Sequence, residues 1–234
     1  MSEVLGDVAL QDQTLEDLAS AINYRHWLVS LALPYLGEHA IEIGAGQGDY
    51  VQDWADAGIR VTASEAEPGR LDLLRKRFAG NELVDLVEYT APSQIDGSYS
   101  AVVAYNVLEH ISDDVAALRG FGSLLRPGGA VVLIVPAFEF AMGRFDRAVG
   151  HQRRYRVAGL RAALEEAGLR VERIHYVNSL GLLAWFVGMR LLRMTPGEGL
   201  ILTAWDRGVI PLLRRVEGHR HPPFGQSVFA VARA

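Results

Sequence analysis

The run Ile41-Glu42-Ile43-Gly44-Ala45-Gly46-Gln47-Gly48 places an acid near the end of a short apolar stretch and follows it at once with three alternating glycines. Glycine lets a backbone turn through unusual torsions and approach a ligand with no side chain between them, so this run predicts a ligand-cradling loop. Loops that hold a dinucleotide pyrophosphate read G-x-G-x-x-G. Here the sixth position is Asp49, and the third glycine comes one residue early, at Gly48. An anion at Asp49 opposes a pyrophosphate. Glu42 instead suits a cofactor that carries positive charge, because a carboxylate in a partly dry cleft is stabilised by an opposite charge. S-adenosylmethionine, with an ammonium and a sulfonium, is such a cofactor. A Glu42 that only caps the loop amides would organise the same turn.

A second concentration of chemistry lies at Gly150-His151-Gln152-Arg153-Arg154-Tyr155-Arg156. With Arg144 and Arg147, the stretch from Arg144 to Arg156 holds five arginines against one acid, Asp146, a local formal charge of +4 in a chain whose net charge is -5. Guanidinium forks favour carboxylate and phosphate, so Arg153, Arg154 and Tyr155 are candidate substrate contacts; pairing with the protein's own acids is the alternative.

These residues must be positioned by a scaffold, and the composition allows one. The 234 residues are 50% hydrophobic and 22% charged, enough for a single domain with a complete core. The net negative charge gives no global pull toward nucleic acid or anionic lipid. With no cysteine, disulfides, thiolate metal sites and a cysteine nucleophile are excluded. The acidic first eighteen residues have no basic start or long apolar run, and the uncharged stretch Tyr176–Met189 is too short to span a bilayer, so a cytoplasmic soluble protein is expected. The histidines are scattered, and no metal site is expected.

Apolar spacing predicts one or two helices over 12–36 closed by Pro34 and Gly37, a strand at Ala40–Ile43, a helix with Val51, Trp54 and Ala55 inward, and a strand at Ile59–Ser64. A helix through Leu71, Leu74 and Phe78 and strands at Leu83–Tyr89 and Tyr99–Ala104 follow. Ser112-Asp113-Asp114 starts a helix that runs to the turn Arg126–Gly129, and Val131–Val135 reads as a central parallel strand covered on both faces. A helix at Leu160–Ala167, a strand to Val177, a mostly helical insertion and a last strand at Ser227–Ala232 complete the chain.

This order, together with Glu42-x-Gly44-x-Gly46-x-Gly48, resembles the class I S-adenosylmethionine-dependent methyltransferases of the small-molecule type. The resemblance implies an α/β, Rossmann-like, seven-stranded mixed sheet in the order 3-2-1-4-5-7-6, with helices on both faces and the last strand antiparallel. It divides one domain, 1–234, into an N-terminal helical lid (1–37), a cofactor-binding core (38–177), a helical insertion covering substrate (178–225) and the last strand (226–234). Glu65, twenty-one residues after Gly44, stands where the family places an acid that accepts from both ribose hydroxyls, with Ala66 beside it. Thr90 and Ala91 stand where the family usually has an aspartate at the adenine, a departure that leaves a hydroxyl or a backbone carbonyl as acceptor. Gly44, Ala45, Gly46 and Gly48 line the cofactor, as do Tyr105 and Asn106 after the fourth strand. Tyr24, in a segment resembling a lid over the methionine end, bonds the cofactor carboxylate or packs between helices.

His110, in Leu108-Glu109-His110, and His151 are the candidate bases; a structural pairing of His110 with Asp113 or a carbonyl is the alternative. The expected reaction is in-line methyl transfer to an O or N of a small anionic or sugar-like metabolite. The rivals are an RNA methyltransferase, a nucleotide-dependent oxidoreductase and a cofactor-binding module without catalysis. The segment after the fourth strand lacks the Asn/Asp-Pro-Pro-aromatic run used on base amino groups, so a nucleic-acid partner is disfavoured, and a homodimer is left open.

Overall fold

The computed structural model describes residues 6–93, 95, 97–187 and 200–234. Its centre is a seven-stranded sheet in the order β3-β2-β1-β4-β5-β7-β6, the arrangement expected above. The strands are β1 (His39–Ile43), β2 (Arg60–Glu65), β3 (Val84–Glu88), β4 (Tyr99–Tyr105), β5 (Leu125–Pro136), β6 (Arg170–Val177) and β7 (Ser227–Arg233). The β1–β2, β1–β4, β2–β3 and β4–β5 pairs are parallel, while β7 runs antiparallel to both β5 and β6.

Strand sequence explains the layering. In β5, Val131, Leu133 and Val135 pack into one core cluster and Val132 and Ile134 into the other, so a continuous apolar run serves two covered faces. One face is closed by α2 (Ile22–Leu36), α3 (Asp49–Asp56) and α4 (Pro68–Arg77) through Trp27, Leu28, Trp54 and Leu74. The other is closed by α5 (Asp114–Ser123) and α7 (Val157–Glu166) through Leu118, Phe121, Leu160 and Leu164. Asp113 caps α5 by accepting from the Ala116 amide at 2.8 Å, as its position in the sequence predicts.

The boundaries differ in three places. Pro34 lies inside α2, which continues to Leu36 before Gly37 ends it. The expected turn at Arg126–Gly129 is an irregularity within β5, which pairs with β4 at Leu125 and again from Ala130. The loop after β5, where no helix was expected, contains α6 (Arg144–Ala148).

Two outlying parts are joined above the carboxyl ends of the strands. The insertion contributes α8 (Ser179–Trp185), α9 (Leu200–Ala204), a π-helical turn (Trp205–Val209) and α10 (Ile210–Glu217); residues 188–199, which belong to the expected insertion, lie outside the described residues. Buried Asp206 accepts from the Asn23 and Tyr24 amides at 3.0 and 2.9 Å, which ties the insertion to the start of α2. Buried Glu217 accepts from the Asn178 and Ser179 amides, each at 2.8 Å, and so fixes α10 against the start of α8. The first helix, α1 (Val8–Ala19), is stitched to α6: Asp7 donates its amide to the Ala148 carbonyl at 2.9 Å, and the Gln11 side chain donates to the Val149 carbonyl at 2.7 Å.

Candidate active site

In an open parallel sheet, ligands bind beyond the carboxyl ends of the strands where the strand order reverses, here between β1 and β4. A cleft of about 660 Å³ lies there. Its two halves are built by different strands. The loops after β1, β2 and β3 supply the glycine turn, Glu65 and Thr90; those after β4, β5 and β6 supply His110, the 145–154 segment and Trp185.

The glycine turn has the close-approach geometry its spacing predicts. Gly44 and Gly48 sit at φ +68° and +83°, and a Cβ would stand 2.8 Å from Val107 on the first and 2.6 Å from Phe78 on the second. Neither position admits another residue without displacing a neighbour. The Gly46 amide donates to Glu65 Oε2 at 2.9 Å, while the Ala66 and Glu67 amides donate to Oε1 at 2.9 and 3.1 Å. Glu65 thereby clamps the β1 and β2 loops together; Oε1 is filled by its two amides, and Oε2, with one, keeps a lone pair for a further donor.

Glu42 tests whether these residues fit a cationic cofactor. It is 2% exposed, lines the cleft, and its Oε2 has no hydrogen-bond partner. Burial, followed by the nearby carboxylates Asp49 and Glu65, raises its pKa well above the ordinary range. A buried acid with an orphaned oxygen is costly to keep unless a positive group completes it, and the ammonium or sulfonium of S-adenosylmethionine fits that need. Asp49, which argued against a pyrophosphate, lines the same cleft and pairs with Arg77 at 2.8 Å and Arg25 at 3.9 Å.

Of the other residues expected at the cofactor, Tyr24, Ala45, Ala66, Thr90, Ala91, Tyr105 and Asn106 all line the cleft, whereas Gly48 is turned toward Phe78 and Leu74 and does not. The Tyr24 hydroxyl is hydrogen-bonded by Asn178 and Ser227, so it packs among protein groups as much as it faces a ligand. Tyr105 donates to the Leu28 carbonyl at 3.2 Å, and Asn106 takes a positive φ of 54° that turns the chain at the end of β4.

The other half holds both candidate bases. His110 and His151 line the cleft with their ring centroids 4.7 Å apart in an edge-to-face arrangement. His110 is pushed down to about 4, chiefly by burial, then by the charges of His151 and Arg70, and its ring donates to the Gly150 backbone. It is therefore a neutral imidazole at pH 7. His151 bonds Asp146 Oδ1 through Nδ1 at 3.0 Å, and its Nε2 stands 3.8 Å from Glu109 Oε1. Burial works against the ionisation of Asp146, but bonds from His151, Arg154 and the Gly143 amide outweigh it and hold the carboxyl below its ordinary range.

The arginine run is not the substrate contact expected of it. Arg154 lines the cleft, but its guanidinium bonds Asp146 Oδ1 at 2.9 and 2.7 Å and the Ala137 carbonyl at 3.1 Å, with Trp185 5.0 Å away. Arg153 pairs with Asp114 at 2.8 Å, and the buried Tyr155 hydroxyl donates to the same carboxylate at 2.8 Å; neither residue lines the cleft. Internal acids absorb both arginine charges.

Three functional candidates were missed. Glu109 is fully buried and lies behind the histidines, Asp146 orients His151, and Trp185 closes the wall. A histidine five residues after an acid was the one local signal for the Asp146 contact. The scattered histidines also converge: Glu109, His110 and His151 each offer a ligand-type atom, all within 4.8 Å of one another.

Comparison with known proteins decides the family. A methyltransferase-domain family profile matches residues 41–131, which carry the glycine turn, Glu65 and the His110 segment. A ubiquinone biosynthesis O-methyltransferase from Xanthomonas axonopodis pv. citri is 31% identical over 162 residues, covering 62% of this chain and 67% of that protein. The chain belongs to the class I S-adenosylmethionine-dependent methyltransferases. Solved structures agree with the methyltransferase fold. A Haloferax volcanii methyltransferase, solved with the Trm112 methyltransferase activator, superposes with a TM-score of 0.65 at 16% identity over 99% of both chains. The glycopeptide N-methyltransferase MtfA, solved with sinefungin, gives 0.56 at 16% identity over 87% of this chain and 83% of that one. No helix among the described residues of this methyltransferase is long and apolar enough to cross a membrane.

Proposed function

We propose that this methyltransferase transfers the methyl group of S-adenosylmethionine to a hydroxyl oxygen of a small acceptor with an apolar, ring-bearing body. The bound cofactor supplies a methyl on a sulfonium, a leaving group that needs no further activation. The chain's task is then alignment and, for a hydroxyl acceptor, removal of one proton. Glu42 answers the cofactor's positive charge. Glu65, with Ala66, takes the ribose through the free lone pair of Oε2. Thr90 and Ala91 lie at the adenine, and Gly44 to Gln47, Tyr105 and Asn106 wall the space between. The helices of 1–37 and 178–225 close over the acceptor.

One observation supports the acceptor class. The cleft half beyond β4 and β5 combines Phe145, Val149, Ile111 and Trp185 with two histidines, while its arginine is spent on Asp146. Aromatic and aliphatic walls favour a flat apolar body, and the imidazoles supply the polar contact at the reacting oxygen. This replaces the anionic or sugar-like acceptor that the arginine run suggested. The name of the Xanthomonas relative, a ubiquinone biosynthesis O-methyltransferase, is consistent with an oxygen acceptor.

Tritium transfer from methyl-labelled cofactor to a panel of substituted phenols, matched anilines and sugars tests the proposal. Label in phenolic ethers is expected. Label confined to amines or sugars would refute the acceptor class.

A further inference from the structure

We infer that Glu109, His110 and His151 form a binding site for one divalent transition-metal ion of the Zn²⁺ or Co²⁺ type, open toward the acceptor half of the cleft. The three residues come from two segments, the turn after β4 and the loop after α6, that only the fold brings together. Their ligand-type atoms all lie within 4.8 Å of one another, and His151 Nε2 is already 3.8 Å from Glu109 Oε1. Ligands on a tetrahedral zinc stand about 3.3 Å apart, so small movements close the set.

The outer contacts prepare both imidazoles. His151 directs Nδ1 at Asp146, and one ring nitrogen of His110 donates to the Gly150 backbone. An imidazole whose one N–H is committed to an oxygen presents the lone pair of the other nitrogen, which is how ligating histidines are oriented. Asp146 is itself held by Arg154 and by the Gly143 amide at 2.7 Å, so the His151 ring has a fixed support.

Glu109 is the independent observation. It is 0% exposed, and neither carboxylate oxygen has a hydrogen-bond partner. Buried carboxylates are nearly always satisfied, yet both oxygens of Glu109 stand unbonded on the side that faces the histidines. A metal ion between Glu109 and the histidines would bond one of them and neutralise the other.

The donor set selects the ion class. Two imidazoles with one carboxylate suit zinc, cobalt or iron, whereas magnesium and calcium prefer oxygen alone. Three protein ligands leave at least one position for water or another oxygen. His110 and His151 line the cleft while Glu109 lies behind them, so that position faces the space where the acceptor hydroxyl is proposed to sit. An acceptor bound there through its oxygen would release its proton to bulk water, with the ion taking the role otherwise left to a histidine base. Only this last link rests on the proposed acceptor; ion binding stands without it.

The test is a cobalt titration of the chelator-stripped full chain. One equivalent of Co²⁺ should produce visible d–d absorption, and Zn²⁺ should displace it. Glu109→Gln and His151→Ala should each weaken binding at least tenfold with the circular dichroism spectrum unchanged, and Asp146→Asn should weaken it less. If Glu109→Gln does not fold, His110→Ala, on the cleft wall, replaces it. Arg153→Ala should bind as the parent does. A parent protein that gives no absorption at millimolar Co²⁺, folded ligand variants that bind like the parent, or Mg²⁺ that competes as well as Zn²⁺ would overturn the site. Intact cobalt binding without methyl transfer to any phenol would count against the acceptor assignment and leave the ion site standing.

Discussion

Replacing Glu42 by Gln separates what the residue does for the fold from what it does for the ligand. In the ligand-free protein Glu42 is an acid with an orphaned oxygen, its pKa raised by burial and by Asp49 and Glu65. For an acid whose folded pKa lies above its unfolded value, stability is complete below the unfolded pKa and is lost as pH rises through the folded one. The variant lacks that loss. It should melt higher than the parent at pH 7 to 8, and the two should converge near pH 4. Ligand binding should move the other way. A hydrogen bond to a charged group contributes about 1.5–3 kcal/mol, so the variant should bind S-adenosylmethionine roughly 10- to 150-fold more weakly by calorimetry. S-adenosylhomocysteine keeps the ammonium and lacks the sulfonium, so comparing the two losses shows which cation Glu42 faces. A variant that binds both ligands like the parent and melts no higher at neutral pH would refute the reasoning.

Other outcomes follow from the same structure. Burial lifts Glu109 to about 7 against an ordinary 4.5; at about 1.4 kcal/mol per pH unit the gap is worth about 3–4 kcal/mol. Chelator-treated parent should lose roughly that much stability between pH 4.5 and 7, and Glu109→Gln should flatten the profile in urea titrations. Gly48→Ala puts a Cβ 2.6 Å from Phe78 at φ +83°; it should cost about 1–3 kcal/mol by thermal melting, with cofactor affinity falling alongside. Trp185→Ala should raise the KM for the acceptor with little change in cofactor affinity, whereas Arg153→Ala, off the cleft and paired with Asp114, should leave the acceptor KM unchanged.

What was legible in the sequence was local or strictly periodic. The alternating glycines and the acid two positions before them are contiguous, and their meaning does not depend on distant partners; Glu65 follows at a spacing set by one helix and one strand. Val131 to Val135 showed a strand covered on both faces because no alternation was present. The arginines of 144–156 were misjudged because their partners are tertiary. Arg153 and Tyr155 meet Asp114 at the start of α5, and Arg154, in the loop after α6, folds back onto Asp146 within that helix. Composition records an excess of charge there but not its neutralisation. Glu109 was hidden for the opposite reason: in sequence it is an ordinary acid beside a histidine, and only the packing of the 145–154 segment over the turn after β4 buries it and brings His151 to it.

The central claim is that the bend at Gly44–Gly48 and the carboxylates of Glu42 and Glu65 hold S-adenosylmethionine. A crystal structure of the full chain with S-adenosylhomocysteine tests it most directly. The ribose hydroxyls should lie within hydrogen-bond distance of Glu65 and the amino group should lie on the Glu42 side of the glycine bend. A ligand bound elsewhere, or Glu65 still bonded to loop amides alone with the ribose out of reach, would contradict it.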